Sequence, residues 1–115
     1  MEDRLSSFIY FLRQEIPGSP DVDPDTPIND LYEELGFDLL CFLVAAIQLE
    51  MKCEVEIPDE LVEDDSQTLR QFIAKVSELP RVKEKDLEEF IKEKEALLSK
   101  AIKSMREMDN LIRRN

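Results

Sequence analysis

The helix-breaking residues of this chain are confined to a few places, and their positions decide which stretches can be helical. Four of its six prolines lie within residues 17–27, and the chain has only two glycines. Residues 81–115 contain neither proline nor glycine. Because these two residue types interrupt helices, the long stretches without them are free to be helical. Only 7% of the residues are aromatic, which also disfavours strands, so the sequence predicts an all-α fold.

The first helix is predicted over residues 2–15, where apolar side chains recur every three or four positions. These side chains are Leu5, Phe8, Ile9, Leu12 and Ile16. The proline-rich residues 17–27 are predicted to be a loop. After it, Leu31, Leu35 and Phe37 are expected to return apolar side chains to the core, with a turn at Gly36.

A second helix is predicted over residues 38–53, with Asp38 as its N-cap. This stretch is apolar nearly all round, so the helix should be covered on more than one side. Pro58 is predicted to open a short helical turn. A further helix, capped by Asp65 or Ser66, is predicted to end near residues 79–80.

Beyond Pro80 the charge changes sign. Residues 1–79 hold 19 acids and 5 bases, whereas residues 80–115 hold 8 acids and 10 bases. We therefore predict a helical domain over 1–79 and a C-terminal helical extension over 80–115. The extension should be one long amphipathic helix over residues 83–112, with Lys94 interrupting its apolar stripe. The stripe is Leu87, Ile91, Leu98, Ile102, Met105 and Ile112, flanked by Phe90, Met108 and Leu111.

An antiparallel bundle with the second helix at its centre is the predicted arrangement of residues 2–79. Its predicted core consists of Leu5, Phe8, Leu12, Leu31, Leu40, Leu43, Ile47, Ile57, Leu69, Phe72 and Ile73.

Composition argues against several functions. The net charge of -12 disfavours a nucleic-acid partner. The chain has no histidine, which removes histidine-based catalysis and histidine zinc sites, and we expect neither an enzyme, nor a metal site, nor a cofactor. Cys41 and Cys53 would lie about 18 Å apart on one helix, too far to pair. Two unpaired thiols, no signal-peptide start and no membrane-length apolar run favour the cytoplasm.

The middle of the chain resembles the acyl carrier protein family. That family begins its second helix with Leu-Gly-x-Asp-Ser-Leu, and an acidic residue followed by Ile-Pro-Asp-Glu comes later. Residues 35–40 read Leu-Gly-Phe-Asp-Leu-Leu, and residues 56–60 read Glu-Ile-Pro-Asp-Glu. The spacing between the two motifs and the order of helices also match. The resemblance covers residues 2–79 and implies a carrier-like helical bundle.

One position departs from the family. The serine that would carry the 4'-phosphopantetheine arm is replaced by Leu39, although the neighbouring Asp38 is kept. The arm is attached through a hydroxyl oxygen, which leucine lacks. Ser66 follows an aspartate but lies at the start of a later helix, where a capping role is expected. The sequence therefore predicts no phosphopantetheine at the family position.

The resemblance also implies a partner surface along the second helix, which carriers usually make acidic. The positions expected to point outward are Leu39, Cys41, Val44, Gln48 and Met51. Exposed together, the apolar ones would form an interaction surface. The C-terminal helix could cover that surface in the same chain, pair with a second copy as a homodimer, or bind another protein. The sequence leaves these three open.

We therefore expect a non-catalytic carrier-like protein that acts through protein–protein contacts, as a regulatory or scaffolding relative. One alternative is a working thioester carrier modified at an unexpected serine, such as Ser66. Another is an acidic coiled-coil adaptor or chaperone unrelated to carriers.

Overall fold

The described residues, 2–114 for the backbone and 4–107 for the side chains, form six helices and no strand in this computed structural model. The helices are α1 (Glu2–Gln14), α2 (Ile28–Leu35), α3 (Leu39–Cys53), α4 (Asp59–Glu63), α5 (Leu69–Ser77) and α6 (Glu84–Arg114). This confirms the all-α fold and the long C-terminal helix. Within the described part of the chain, no helix is both long and apolar enough to cross a membrane.

Helix α2 was not predicted, because its eight residues follow a proline-rich loop and are too few to show a clear period. Ile28 and Leu31 bury its inner side. Gly36 ends the helix with φ 66°, a left-handed conformation that costs glycine little, and its N–H donates to the carbonyl of Tyr32. The turn expected at Gly36 is therefore confirmed, and it lies at the end of a helix.

The predicted N-cap of α5 was wrong. Thr68 caps this helix, and its hydroxyl accepts a hydrogen bond from the N–H of Gln71 at 3.1 Å. The Gln71 side chain accepts from the N–H of Thr68 at 2.9 Å, which completes a capping box. The Ser66 hydroxyl instead donates to the carboxylate of Asp64, and the carbonyl of Asp65 accepts from the N–H of Asn29.

Three phenylalanines form the centre of the bundle. Phe8, Phe42 and Phe72 are fully buried, and their ring centroids lie 5.2–5.3 Å apart. Such ring pairs add about 0.5–1.5 kcal/mol each beyond the area they bury. The surrounding core includes seven predicted members, namely Phe8, Leu12, Leu31, Ile57, Leu69, Phe72 and Ile73.

The face of α3 that enters this core differs from the prediction. Phe42, Ala45, Ala46 and Leu49 belong to the core cluster. The predicted Ile47 is buried, as expected, but lies outside that cluster, whereas the predicted Leu40 is only partly buried. The predicted Leu5 and Leu43 are only partly buried. The error arose because α3 is apolar on every side, so hydrophobic periodicity could not select its inner face.

Helices α1 and α6 both pack extensively against α3. Helix α6 starts beside the C-terminal end of α3, where Val55 and Arg81 form an antiparallel bridge and the N–H of Val82 donates to the carbonyl of Glu54 at 2.7 Å. From there it runs back along α3, so the two helices are antiparallel. A helix of 31 residues spans about 46 Å, roughly twice the length of α3.

The most buried residues of α6 are not those of the predicted apolar stripe. Phe90, Lys94 and Ala101 are its buried residues among those described, whereas Leu87, Ile91, Leu98, Ile102 and Met105 are only half-buried. Phe90, predicted as a flanking residue, thus lies near the middle of the buried face. The predicted positions Met108, Leu111 and Ile112 lie outside the described side chains.

Candidate functional site

The N-terminus of α3 contains Leu39, the position to which the resemblance to carrier proteins would assign the arm. Asp38 is the N-cap, as predicted, and its carboxylate accepts a hydrogen bond from the N–H of Cys41 at 3.1 Å. Leu39 is the first residue of the helix, and 47% of it is exposed. The side chain at this position is therefore accessible, but leucine has no hydroxyl or other reactive group that could be modified.

Potential nucleophiles beside Leu39 are poorly suited to chemistry. The Cys41 thiol donates to the carbonyl of Glu15 at 3.7 Å, and burial raises the pKa of the thiol. Because the thiolate is the reactive form, Cys41 is a weak nucleophile near neutral pH. Burial, followed by the nearby Asp65 and Asp38 carboxylates, raises the pKa of Tyr32 to about 12. The hydroxyl of Tyr32 is buried and has no hydrogen-bond partner among the described residues, and its ring packs edge-on against Phe37, with the centroids 4.9 Å apart.

The five residues predicted as an interaction surface are not equally accessible. Leu39 is exposed, and Cys41, Gln48 and Met51 are half-buried. Val44 has no exposed surface. Because it is excluded from the main core cluster while α6 packs along α3, we place Val44 at the contact between these two helices. In this conformation Val44 is not available to an outside partner.

The contact between α3 and α6 contains a buried ion pair that the sequence did not reveal. The ammonium group of Lys94 lies 2.9 Å from the carboxylate of Glu50, and both residues are less than 10% exposed. The same carboxylate oxygen accepts from the N–H of Ile57 at 2.9 Å. The Lys94 ammonium also lies 5.4 Å from the centre of the Phe90 ring, a cation–π distance. Lys94, which breaks the apolar stripe in sequence, therefore has a dedicated partner.

Spacing along α3 extends this contact in both directions. Ile47 and Glu50 are three residues apart and share one side of α3, and Glu54, the C-cap residue of the helix, follows four residues later. Glu50 contacts Lys94, and Glu54 pairs with Arg81 at the start of α6. The available signal was Glu50 within an apolar helix and Glu54 just after it, and their partners Lys94 and Arg81 come from the following segment.

Burial raises the pKa of Glu50, while the Ile57 N–H and the Lys94 ammonium act in the opposite direction. Removing a carboxylate from water disfavours its charged form, and these two partners recover part of that loss. The net effect still disfavours the charged form of Glu50, and loss of either partner would disfavour it further.

The acidic loop before α2 uses its carboxylates internally. Asp23 accepts from the N–H of Asp25 at 2.9 Å and from the hydroxyl of Thr26 at 3.0 Å. Asp25 pairs with Arg70 at 2.8 Å, and this hydrogen bond lowers the pKa of Asp25. Across the described residues, no group of three or more acids or cysteines is arranged to hold a metal ion.

Comparisons of the chain with protein-family models, curated proteins and solved structures return no significant match.

Proposed function

We propose that this protein is a non-catalytic relative of the acyl carrier proteins that acts by contacting other proteins and carries no phosphopantetheine arm. The observation that carries the proposal is Leu39. It occupies the first turn of α3, directly after the Asp38 cap, and remains 47% exposed. An accessible leucine at that position can contact a partner but cannot form a phosphoester.

The order of helices supports the resemblance. The order expected of a carrier is a first helix, a long connection, the Asp38-capped helix α3, a short helix α4 after Pro58 and a final bundle helix α5. This chain follows that order, and its long connection also contains α2. The Ile57-Pro58 pair of the second motif joins the core through Ile57 and provides the N-cap position of α4 through Pro58. Both motifs therefore have structural roles that need no cofactor.

Covering of α3 by α6 separates this protein from an ordinary carrier. In the proposal, α6 permanently occupies the side of α3 that includes Val44, and only the end of α3 around Leu39 remains for a partner. The central buried face of α6 lies against α3, which favours docking within one chain over a free coiled-coil arm. Partner binding and a homodimer both remain possible through Leu39 and the outer side of α6.

Intact-mass measurement after incubation with coenzyme A and a promiscuous phosphopantetheinyl transferase tests the proposal. We expect the wild-type mass to stay unchanged. Leu39→Ser restores the family serine, and we expect it to be modified slowly, because the carrier's acidic residues are missing from α3. Modification of the wild type, abolished by Ser66→Ala, would instead establish the working-carrier alternative. A long oligomer measured by light scattering would favour the coiled-coil adaptor.

A further inference from the structure

An open cleft of about 940 Å³ lies between the α3–α4 connection, the α5–α6 connection and the N-terminal half of α6. Its volume falls within the range of ligand-binding clefts in proteins. Apolar residues from all three segments line it, namely Ile57, Pro58, Leu79, Pro80, Val82 and Phe90. The two prolines are exposed and Leu79 and Val82 are half-buried, so the cleft presents apolar surface to solvent.

Carboxylates border this apolar surface from two separate elements. Glu56 and Asp59 belong to the α3–α4 connection and to α4, whereas Asp86, Glu89 and Glu93 belong to α6. All five are exposed. Carboxylates on both sides of an apolar floor attract cations that approach along the cleft.

Three basic residues also line the cleft, at the end where α6 begins. They are Arg81, Lys83 and Lys85. Arg81 is already paired with Glu54, which is outside the lining. Apart from Arg81, the cleft therefore contains five acidic and two basic residues. The basic residues are grouped at positions 81–85, whereas the acidic residues of α6 extend as far as Glu93.

The cleft is held in shape by contacts beneath it. The Glu50 carboxylate bonds both the N–H of Ile57 on one side and the ammonium group of Lys94 on the other. Where α6 begins, the N–H of Val82 donates to the carbonyl of Glu54 at 2.7 Å. Binding to a cleft whose sides are already fixed loses little conformational entropy, which favours affinity.

We propose that this cleft docks a basic amphipathic segment of a partner protein. Its apolar side chains would pack against Leu79 and Val82, and its lysines or arginines would lie beside Glu56, Asp59 and the α6 carboxylates. A single segment with both apolar and basic side chains would match the apolar floor and the acidic borders of the cleft. The cleft is separate from Leu39, and the inference stands whether or not the protein is related to carriers.

The first test maps where a basic amphipathic segment binds. A synthetic helical peptide of leucine and lysine is titrated into the ¹⁵N-labelled full chain, beside an all-lysine peptide of equal charge. We expect the leucine–lysine peptide to shift amide resonances in residues 56–59 and 79–93, and to bind at least about tenfold more tightly than the all-lysine peptide. Equal affinity for the two peptides, or shifts spread over the acidic loop and α1, would overturn the proposal.

The second test separates the cleft from the overall negative charge. Glu89→Lys with Glu93→Lys reverses two exposed residues of the cleft, whereas Glu84→Lys with Glu95→Lys reverses two exposed α6 residues outside it. Both double variants change the net charge equally. We expect the first to raise the Kd of the leucine–lysine peptide roughly tenfold and the second to raise it less than about threefold. Equal weakening by both would show charge attraction alone and would overturn the cleft as the docking site.

Discussion

The carboxylate of Glu50 joins Lys94 of α6 to Ile57 of the α3–α4 connection, through two contacts of 2.9 Å. One buried side chain thus ties α3 both to the connection that follows it and to α6, which is distant in sequence. A buried ion pair gains little net stability over apolar packing, but it penalises any arrangement that leaves one partner alone. This pair therefore fixes the position of α6 along α3.

Replacing Lys94 should destabilise the protein far more than replacing a neighbouring lysine. Lys94→Met leaves Glu50 buried with only the Ile57 N–H, a loss of about 3–5 kcal/mol for a broken buried pair. Lys92→Met removes an exposed pair with Glu88 and should cost about 0.5 kcal/mol or less. Urea unfolding of both variants measures the two losses. Similar losses for both would mean that the Glu50–Lys94 pair does not hold α6 in place.

The pH dependence of Glu50 can be isolated by comparing the wild type with Glu50→Gln. Burial raises the folded-state pKa of Glu50, so the stability linked to its protonation is complete below the unfolded pKa of about 4.3. That stability is lost as pH rises through the folded pKa. The free energy of unfolding of the wild type, relative to Glu50→Gln, should therefore be greater at about pH 4 than at pH 7. An opposite trend in urea titrations would show that Lys94 and Ile57 outweigh burial.

Two neighbouring α3 residues distinguish the observed register from the one predicted from sequence. Phe42 is fully buried among aromatic rings, so Phe42→Ala should cost about 3–5 kcal/mol. Leu43, which sequence placed in the core, is only partly buried, and Leu43→Ala should cost clearly less, about 1–2 kcal/mol. Thermal and urea unfolding compare the two. Equal losses would mean that α3 is rotated from the orientation described.

Docking of α6 can be disrupted without shortening the chain. Ala101 is 8% exposed, and Ala101→Asp would place an unpaired carboxylate in the buried face of α6. Ser99→Asp adds the same charge at an exposed position two residues away. We expect only Ala101→Asp to increase binding of a hydrophobic dye, because the apolar side of α3 becomes accessible. Deletion of residues 81–115 should do the same and lower solubility, whereas a soluble, dye-silent truncation would mean that α3 is covered without α6.

The capping box of α5 gives a smaller and local effect. Thr68→Ala removes the hydroxyl that accepts from Gln71, at a cost of about 1 kcal/mol. Ser66→Ala removes only an exposed hydrogen bond to Asp64 and should change stability by less than about 0.5 kcal/mol. The urea midpoints of the two variants show whether Thr68 or the predicted Ser66 caps α5. A larger loss for Ser66→Ala than for Thr68→Ala would favour Ser66.

Local signals predicted the parts of this fold that depend on neighbouring residues. Asp38 was recognised as a cap because its side chain acts within its own first turn, and the proline-free segment after residue 80 was recognised as one helix. The orientation of α3 was not predictable, because Phe42 and Leu43 are both apolar and only the surrounding helices distinguish them. Lys94 looked like a defect in its stripe because Glu50, its partner, is distant in sequence.

Synthesis of the chain has a consequence for α3. Residues 2–79 contain a core of their own around Phe8, Phe42 and Phe72, and domains generally begin to fold from the N-terminal side during translation. Helix α6 is synthesised after residues 2–79, so the side of α3 against which it packs stays uncovered on a growing chain until α6 has left the ribosome. During that interval the nascent protein exposes apolar surface on α3 that α6 covers in the folded protein. Co-translational chaperones would therefore be needed most just before synthesis of α6 is complete.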